Sequence, residues 1–348
     1  MDLKSANFWR AALAEKAASC PRTLRIMEVC GTHTHAIARH NLRALLPENV
    51  TLISGPGCPV CVAGAGFIEK IRNLLRQGVI VTLFGDLLRI PGKHGTLAGE
   101  NNLKIVYSPA DALAFALASP RLKVVFAAVG FAPTLSAAAA LMADLEMRNC
   151  DNFSLLSDFK EIKPVLSTLC CSSHLSALLL PGHVASVTGV GDFSGLPVPG
   201  VVSGFEPENI LHSLYLLLEA VAKGKKDFLC NNYSQAVSPH GNQAALKLID
   251  RYFTTSSSVW RGLGEIPGSG RVLKEEFARF DASKLYSAGD AVFEEDPDCR
   301  CGEIISGAAL PSSCPLFGNR CTPENPVGAC MASSEGSCAA SFMYGGRL

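Results

Sequence analysis

The sequence predicts an α/β protein with two Rossmann-like parallel-sheet lobes and a small cysteine-rich C-terminal region. Three observations lead there. Short apolar, β-branched runs alternate with longer helical patterns up to about residue 225. Hydrophobic residues make up 48% of the 348, enough for a large core and against disorder. From Pro297 the chain turns to Cys, Gly, Pro and Ser, a composition that rarely packs a core without a staple such as a metal.

The elements follow in order. LRIMEV (24–29) reads as a strand and HAIARHNLRALL as the helix after it. VTLIS (50–54) precedes the helical GFIEKIRNLLRQ. VIVTLF (79–84), LKIVYS (103–108) and LKVVFAAVGF (122–131) are further strands, the last two followed by the helices PADALAFALAS and SAAAALMADLEM. PVPGVVSGF with PENILHSLYLLLEAVAKG repeats the unit around 197–224. The expected division is a first lobe at 1–118, a second at 119–225 and a C-terminal domain at 226–348.

Charge excludes some partners. Lys plus Arg equals Asp plus Glu at 31 each, with no basic run, which argues against nucleic acid or an anionic membrane surface. Residues 1–20 form no signal-peptide core, and no apolar run reaches the roughly 18 residues a membrane span needs. The expected compartment is the cytoplasm, where most of the 14 cysteines would be thiols and a cluster of them would mean metal or redox chemistry.

Two cysteine constellations carry chemistry. Cys30 follows the first strand in CGTHTH, and Cys58 and Cys61 follow the second behind a Gly-Pro-Gly turn in SGPGCPVC. Ligands of open α/β sheets bind at the carboxyl ends of strands, so all three thiols belong on one rim. Each is also near the start of a helix, whose partial positive charge favours thiolate. A lone C-x-x-C is a weak signal. It fits a thiol-disulfide oxidoreductase, or a zinc half-site completed by Cys30 and His33 or His35. His35 and His40 read more readily as local hydrogen-bonding residues.

The second constellation is Cys299, Cys314, Cys321 and Cys338, spaced C-x14-C-x6-C-x16-C, with Cys301 and Cys330 between them. Four thiolates hold zinc or an iron–sulfur cluster. Zinc ribbons use paired C-x-x-C knuckles, absent here, so the wide spacing suits a cubane cluster better. Spacing alone does not choose four ligands among the six.

Together CGTHTHAI, SGPGCPVC, GDLLRIPG, VYSPADAL, LLPGHVASVTG, GFEPENIL, WRGLGEIPGSG and the cysteine tail resemble the hydrogenase maturation protein family HypD, in the family's order, over about 24–344. The resemblance implies a cofactor-assembly scaffold with redox activity rather than an independent turnover enzyme. It implies a complex with the small chaperone HypC carrying the iron that becomes the Fe(CN)2CO unit of [NiFe]-hydrogenases, whose large subunit is the indirect partner. Cyanide would come from HypE, and electrons from a C-terminal [4Fe-4S] cluster. The family's essential thiols map onto Cys30, Cys58 and Cys61, with His33 as the nearest polar support. Its cluster ligands map onto Cys299, Cys314, Cys321 and Cys338. Low-spin iron(II) with cyanide and CO is soft and matches thiolates, and a C-x-x-C pair can cycle between dithiol and disulfide. The sequence departs from the family at Ala63-Gly64-Ala65-Gly66, where Thr-Pro is usual, and at Ala132-Pro133, where Glu-Thr is usual. The Glu and Thr missing at the second place would have lined the cleft.

Lesser candidates have plainer readings. His183 in PGHV suits a turn or the cleft. Asp86 and Arg89 in GDLLR suit structure, and Glu206 suits a helix start. Cys20, Cys150, Cys170, Cys171 and Cys230 lie outside every motif and read as ordinary thiols.

Overall fold

The structure is a computed structural model. It describes residues 2–20, 23–172, 174–287 and 296–345, so 288–295 and 346–348 of the expected C-terminal domain lie outside the described residues. Among the described residues the eleven strands are β1 (Leu24–Cys30), β2 (Val50–Gly57), β3 (Ile80–Leu83), β4 (Leu103–Ile105), β5 (Val124–Gly130), β6 (Phe153–Lys160), β7 (Ala177–Pro181), β8 (Gly200–Ser203), β9 (Leu229–Asn231), β10 (Phe253–Trp260) and β11 (Gly264–Leu273). One sheet has the order β2-β1-β7-β8-β9 and is parallel throughout. The other has the order β10-β11-β6-β5-β3-β4. Its β6-β5-β3-β4 part is parallel, while β11 is antiparallel to β6 and to β10.

The two sheets are interleaved along the chain instead of dividing near residue 118. β3 and β4 belong with β5 and β6, while β7 to β9 return to β1 and β2. The reason lies in the buried faces. Leu24 and Ile26 of β1 share one core cluster with Ala177 and Leu179 of β7, while Met27 and Val29 share the other with Leu178 and Leu180. That two-residue alternation lets β1 and β7 pair in register, Ile26 beside Ala177, across a long stretch of chain. β5 is buried along its whole length, as the central strand of a doubly covered sheet requires.

Local sequence explains the remaining differences. The helical pattern at 35–46 breaks in two, because His40 caps the helix Gly31–Arg39 and Asn41 adopts a left-handed conformation before a short 3-10 turn. The helix after β5 begins at Ala132, with Pro133 in its first turn.

Candidate functional site

The carboxyl ends of both sheets face a shared cleft of about 150 Å³. Its lining comes from the ends of β1 (Val29, Cys30), β2 (Gly57) and β7 (Pro181, His183), from Phe131, Pro133 and Thr134 after β5, and from Glu335 of the cysteine-rich region. Pro133, one of the two residues after Phe131 at which the sequence departs from the family it resembles, is on the cleft wall.

Gly57 is fixed by a close approach. A Cβ there would lie 1.6 Å from the carbonyl oxygen of Val29 and 2.6 Å from the Cα of Cys30. Backbone atoms cannot yield that far, so β2 and β1 must part if the glycine is replaced. Gly57→Ala is expected to destabilise the protein by more than about 3 kcal/mol, or to leave it insoluble. Urea unfolding checks this, and a loss below about 1 kcal/mol would refute it.

Cys58 and Cys61 are joined by a disulfide, with Cα atoms 5.2 Å apart. Cys58 caps the short helix Pro59–Val62, and its sulfur accepts the N–H of Cys61 at 3.2 Å. Both are buried. Alkylation with mass spectrometry should find both protected before reduction and labelled after it; equal labelling under oxidising conditions would refute the pair.

Cys30 stands at the N-cap of the helix Gly31–Arg39, as the sequence indicates, but its thiol is not acidified. Burial and then the charge of Glu335 push it up to about 11, against the Thr32 hydroxyl and the N–H groups of Thr32 and His33. Here desolvation outweighs the helix terminus. Labelling of Cys30 by iodoacetamide should therefore be slow at pH 8 and rise about tenfold per pH unit until near pH 11. Glu335→Gln removes one raising influence and should speed labelling a few-fold at fixed pH; slower labelling would overturn that electrostatic account.

Glu335 is the residue that sequence reasoning missed. Its carboxylate accepts the Thr32 hydroxyl at 2.8 Å across 303 positions of sequence. No local pattern marks such a contact.

His33 does not support Cys30 from within the cleft. Its ring is fully buried behind it, and Nε2 meets the carbonyl of Gly204 at 3.0 Å. With that carbonyl as acceptor Nε2 carries the proton, and burial lowers the ring to about 4, so it is neutral at ordinary pH. His183 takes the cleft position instead. Phe205 lies between the two imidazoles, 4.0 Å from the His183 ring and 4.8 Å from that of His33. Burial lowers His183 below its usual value, and Glu335 opposes this in part.

The zinc set suggested by sequence is not assembled. Cys58 and Cys61 bind each other, His33 meets Gly204, and His35 meets the Tyr344 hydroxyl at 2.7 Å. Among the described residues no three His, Cys, Asp or Glu side chains are placed to hold a metal ion.

The C-terminal cysteines gather in one place. Cys301, Cys314, Cys321, Cys330 and Cys338 are buried and Cys299 is half-buried. The sulfurs of Cys330 and Cys338 are 3.0 Å apart. Cys321 accepts the N–H of Val327 at 3.3 Å. A Cβ on Gly328 would stand 2.8 Å from the Cys299 sulfur, so the backbone there hugs the thiol. Burial, then the charges of neighbouring thiols, push Cys299 up to about 12. Cys301 is also pushed well above its usual value, by its hydrogen bond with Cys330 and then burial. This crowd of buried thiols lies against the first site, because Cys330 and Cys58 line the same small cavity.

Two of the lesser candidates, Arg89 and Glu206, fall as structure. Arg89 donates to the carbonyl of Pro323, tying GDLLR to the tail, and Glu206 is the N-cap of the helix Pro207–Ala222.

A family model described as "Hydrogenase formation hypA family" (HypD) matches residues 5–345. The chain belongs to the HypD family. It is 41% identical to the hydrogenase maturation factor HypD of Escherichia coli over 337 residues, covering 93% of this chain and 90% of that protein. It is 37% identical to the HypD of Cupriavidus necator over 340 residues, covering 92% and 89%. A putative hydrogenase expression/formation protein of Methanocaldococcus jannaschii is 36% identical over 330 residues, covering 92% of each. This HypD-family chain thus acts in hydrogenase maturation. None of its described helices is long and apolar enough to cross a membrane.

Proposed function

We propose that the protein is a scaffold on which the Fe(CN)2CO unit of a [NiFe]-hydrogenase is assembled, in the cytoplasm and in complex with a HypC-type chaperone. The observation that carries this is the convergence of Cys30, His183 and Glu335 on one cleft beside the Cys58–Cys61 disulfide. Iron is the cargo. The soft thiol of Cys30 would hold it, with Cys58 and Cys61 once reduced. Iron binding must expel the Cys30 proton. Thr32 touches both Cys30 and Glu335, so the carboxylate stands where that proton can go. The mostly apolar wall of Val29, Phe131, Pro133 and Val184 limits water at the cargo. A HypE-type partner would bring cyanide, and the hydrogenase large subunit would receive the finished unit.

Cys299, Cys314, Cys321 and Cys338 would hold a [4Fe-4S] cluster. The donor chemistry suits it: the thiols are soft and gathered in one crowd, a backbone N–H already points at Cys321, and the Gly328 backbone lies close against Cys299. Bound there, the cluster would supply single electrons. Infrared spectroscopy of the complex co-purified anaerobically with its chaperone tests the assignment. Bands in the cyanide and CO region support it, and a complex that binds iron without them refutes it. A colourless protein with stoichiometric zinc would favour a zinc-stabilised binding protein instead.

A further inference from the structure

The disulfide and Cys30 are bridged by one short segment, Ser333 to Glu335. Ser333 is 1% exposed, and its hydroxyl oxygen lies 3.4 Å from the Cys58 sulfur. A sulfur bonded to Cys61 carries no hydrogen, so here it can only accept, weakly, from the Ser333 O–H. The same oxygen accepts the N–H of Glu335 at 3.3 Å. Glu335 in turn accepts the Thr32 hydroxyl beside Cys30. A second contact runs alongside: a Cβ on Gly31 would lie 2.7 Å from the Glu335 carbonyl oxygen. On the far side the segment has no slack. Gly336 donates to the Ser333 carbonyl at 3.0 Å, and a Cβ on Gly336 would meet the Cys330 carbonyl at 2.1 Å.

We propose that Ser333 is a positioning residue that transmits the oxidation state of the Cys58–Cys61 pair to Glu335, and so to Cys30. This rests on the reading that the pair cycles. Reduction by a dithiol breaks the S–S bond. The pair takes up two electrons and two protons and becomes two thiols, and the dithiol closes to a disulfide. Cys58 then gains an S–H that donates to Ser333, or, once ionised, a stronger acceptor for its O–H. Either change alters what Ser333 offers the Glu335 N–H. Because the Gly336 side is packed against backbone, the adjustment is taken up at Glu335 and Thr32.

The test is the labelling rate of Cys30 by iodoacetamide in the full chain, followed by peptide mass spectrometry at one pH. The pair is either left oxidised or reduced with dithiothreitol and desalted. In the wild type the two forms should label Cys30 at rates differing several-fold. Ser333→Ala should make the rates alike while the pair still oxidises and reduces; Ser333→Thr, which keeps the hydroxyl, should restore the difference. If Ser333→Ala does not fold, Thr32→Val, which cuts the chain at its other end, should equalise the rates. Equal rates in the wild type, or a difference surviving in Ser333→Ala or Thr32→Val, overturn the proposal. A pair that cycles without affecting Cys30 refutes the coupling alone, whereas a pair that cannot be cycled removes the redox reading and the coupling with it.

Discussion

Cys30→Ser is expected to abolish maturation while leaving the fold intact. The residue is 7% exposed, caps a helix start and touches Thr32, so a serine hydroxyl of similar size fits the same space. What changes is the chemistry. A hydroxyl is a hard donor that stays protonated at neutral pH and does not replace a thiolate on soft iron. The mutant should keep its C-terminal region and bind its chaperone partner, but lose the cyanide and CO infrared bands. Hydrogenase activity in a deletion strain should fall more than about 100-fold, beyond the 10–100-fold that changes to a metal ligand's supporting contacts produce. Wild-type activity in that strain would make Cys30 a structural thiol. The iron site would then have to be rebuilt around Cys58 and Cys61.

Cys30 also shows what the sequence makes legible. A strand ending in cysteine and followed by Gly-Thr fixes the rim position, because the strand's direction decides which end the loop occupies. The same logic brings Cys58 and Cys61 to that rim. The thiol's state was not legible, since desolvation depends on what covers the site. Glu335 and the cleft walls come from segments far away in sequence. His33 fails for a related reason. Three positions after Cys30, its ring turns to the carbonyl of Gly204 and to Phe205, neither of which CGTHTH predicts. The interleaving of the sheets is hidden too, because β7 is five residues of undifferentiated ALLLP that name no partner strand. The hairpin β10–β11 carries little strand signal, since Thr-Thr-Ser-Ser-Ser and a Gly-rich return lack the usual β-branched apolar face.

Cys321→Ala should have the largest effect on the C-terminal region. That region has short helices and few long apolar stretches, so the proposed cluster would contribute much of its order. When ligands bind only in the folded state, binding free energy becomes folding free energy. The anaerobically isolated wild type should be brown, with iron and sulfide in about a four-to-four ratio. Cys321 is 5% exposed and is the thiol to which the Val327 N–H already points. Alanine there removes one of the proposed cluster ligands and leaves that N–H without its acceptor. The mutant should lose its colour, and proteolysis within 299–344 should quicken on the order of tenfold or more as local opening becomes easier. The effect should stay local. β1, β2 and β7 pair through their own buried faces, so unfolding of the two sheets should shift much less than proteolysis of the tail. A Cys321→Ala protein that keeps a full cluster spectrum would overturn the ligand assignment. Cys301 and Cys330, buried in the same crowd of thiols, would then be the next residues to replace.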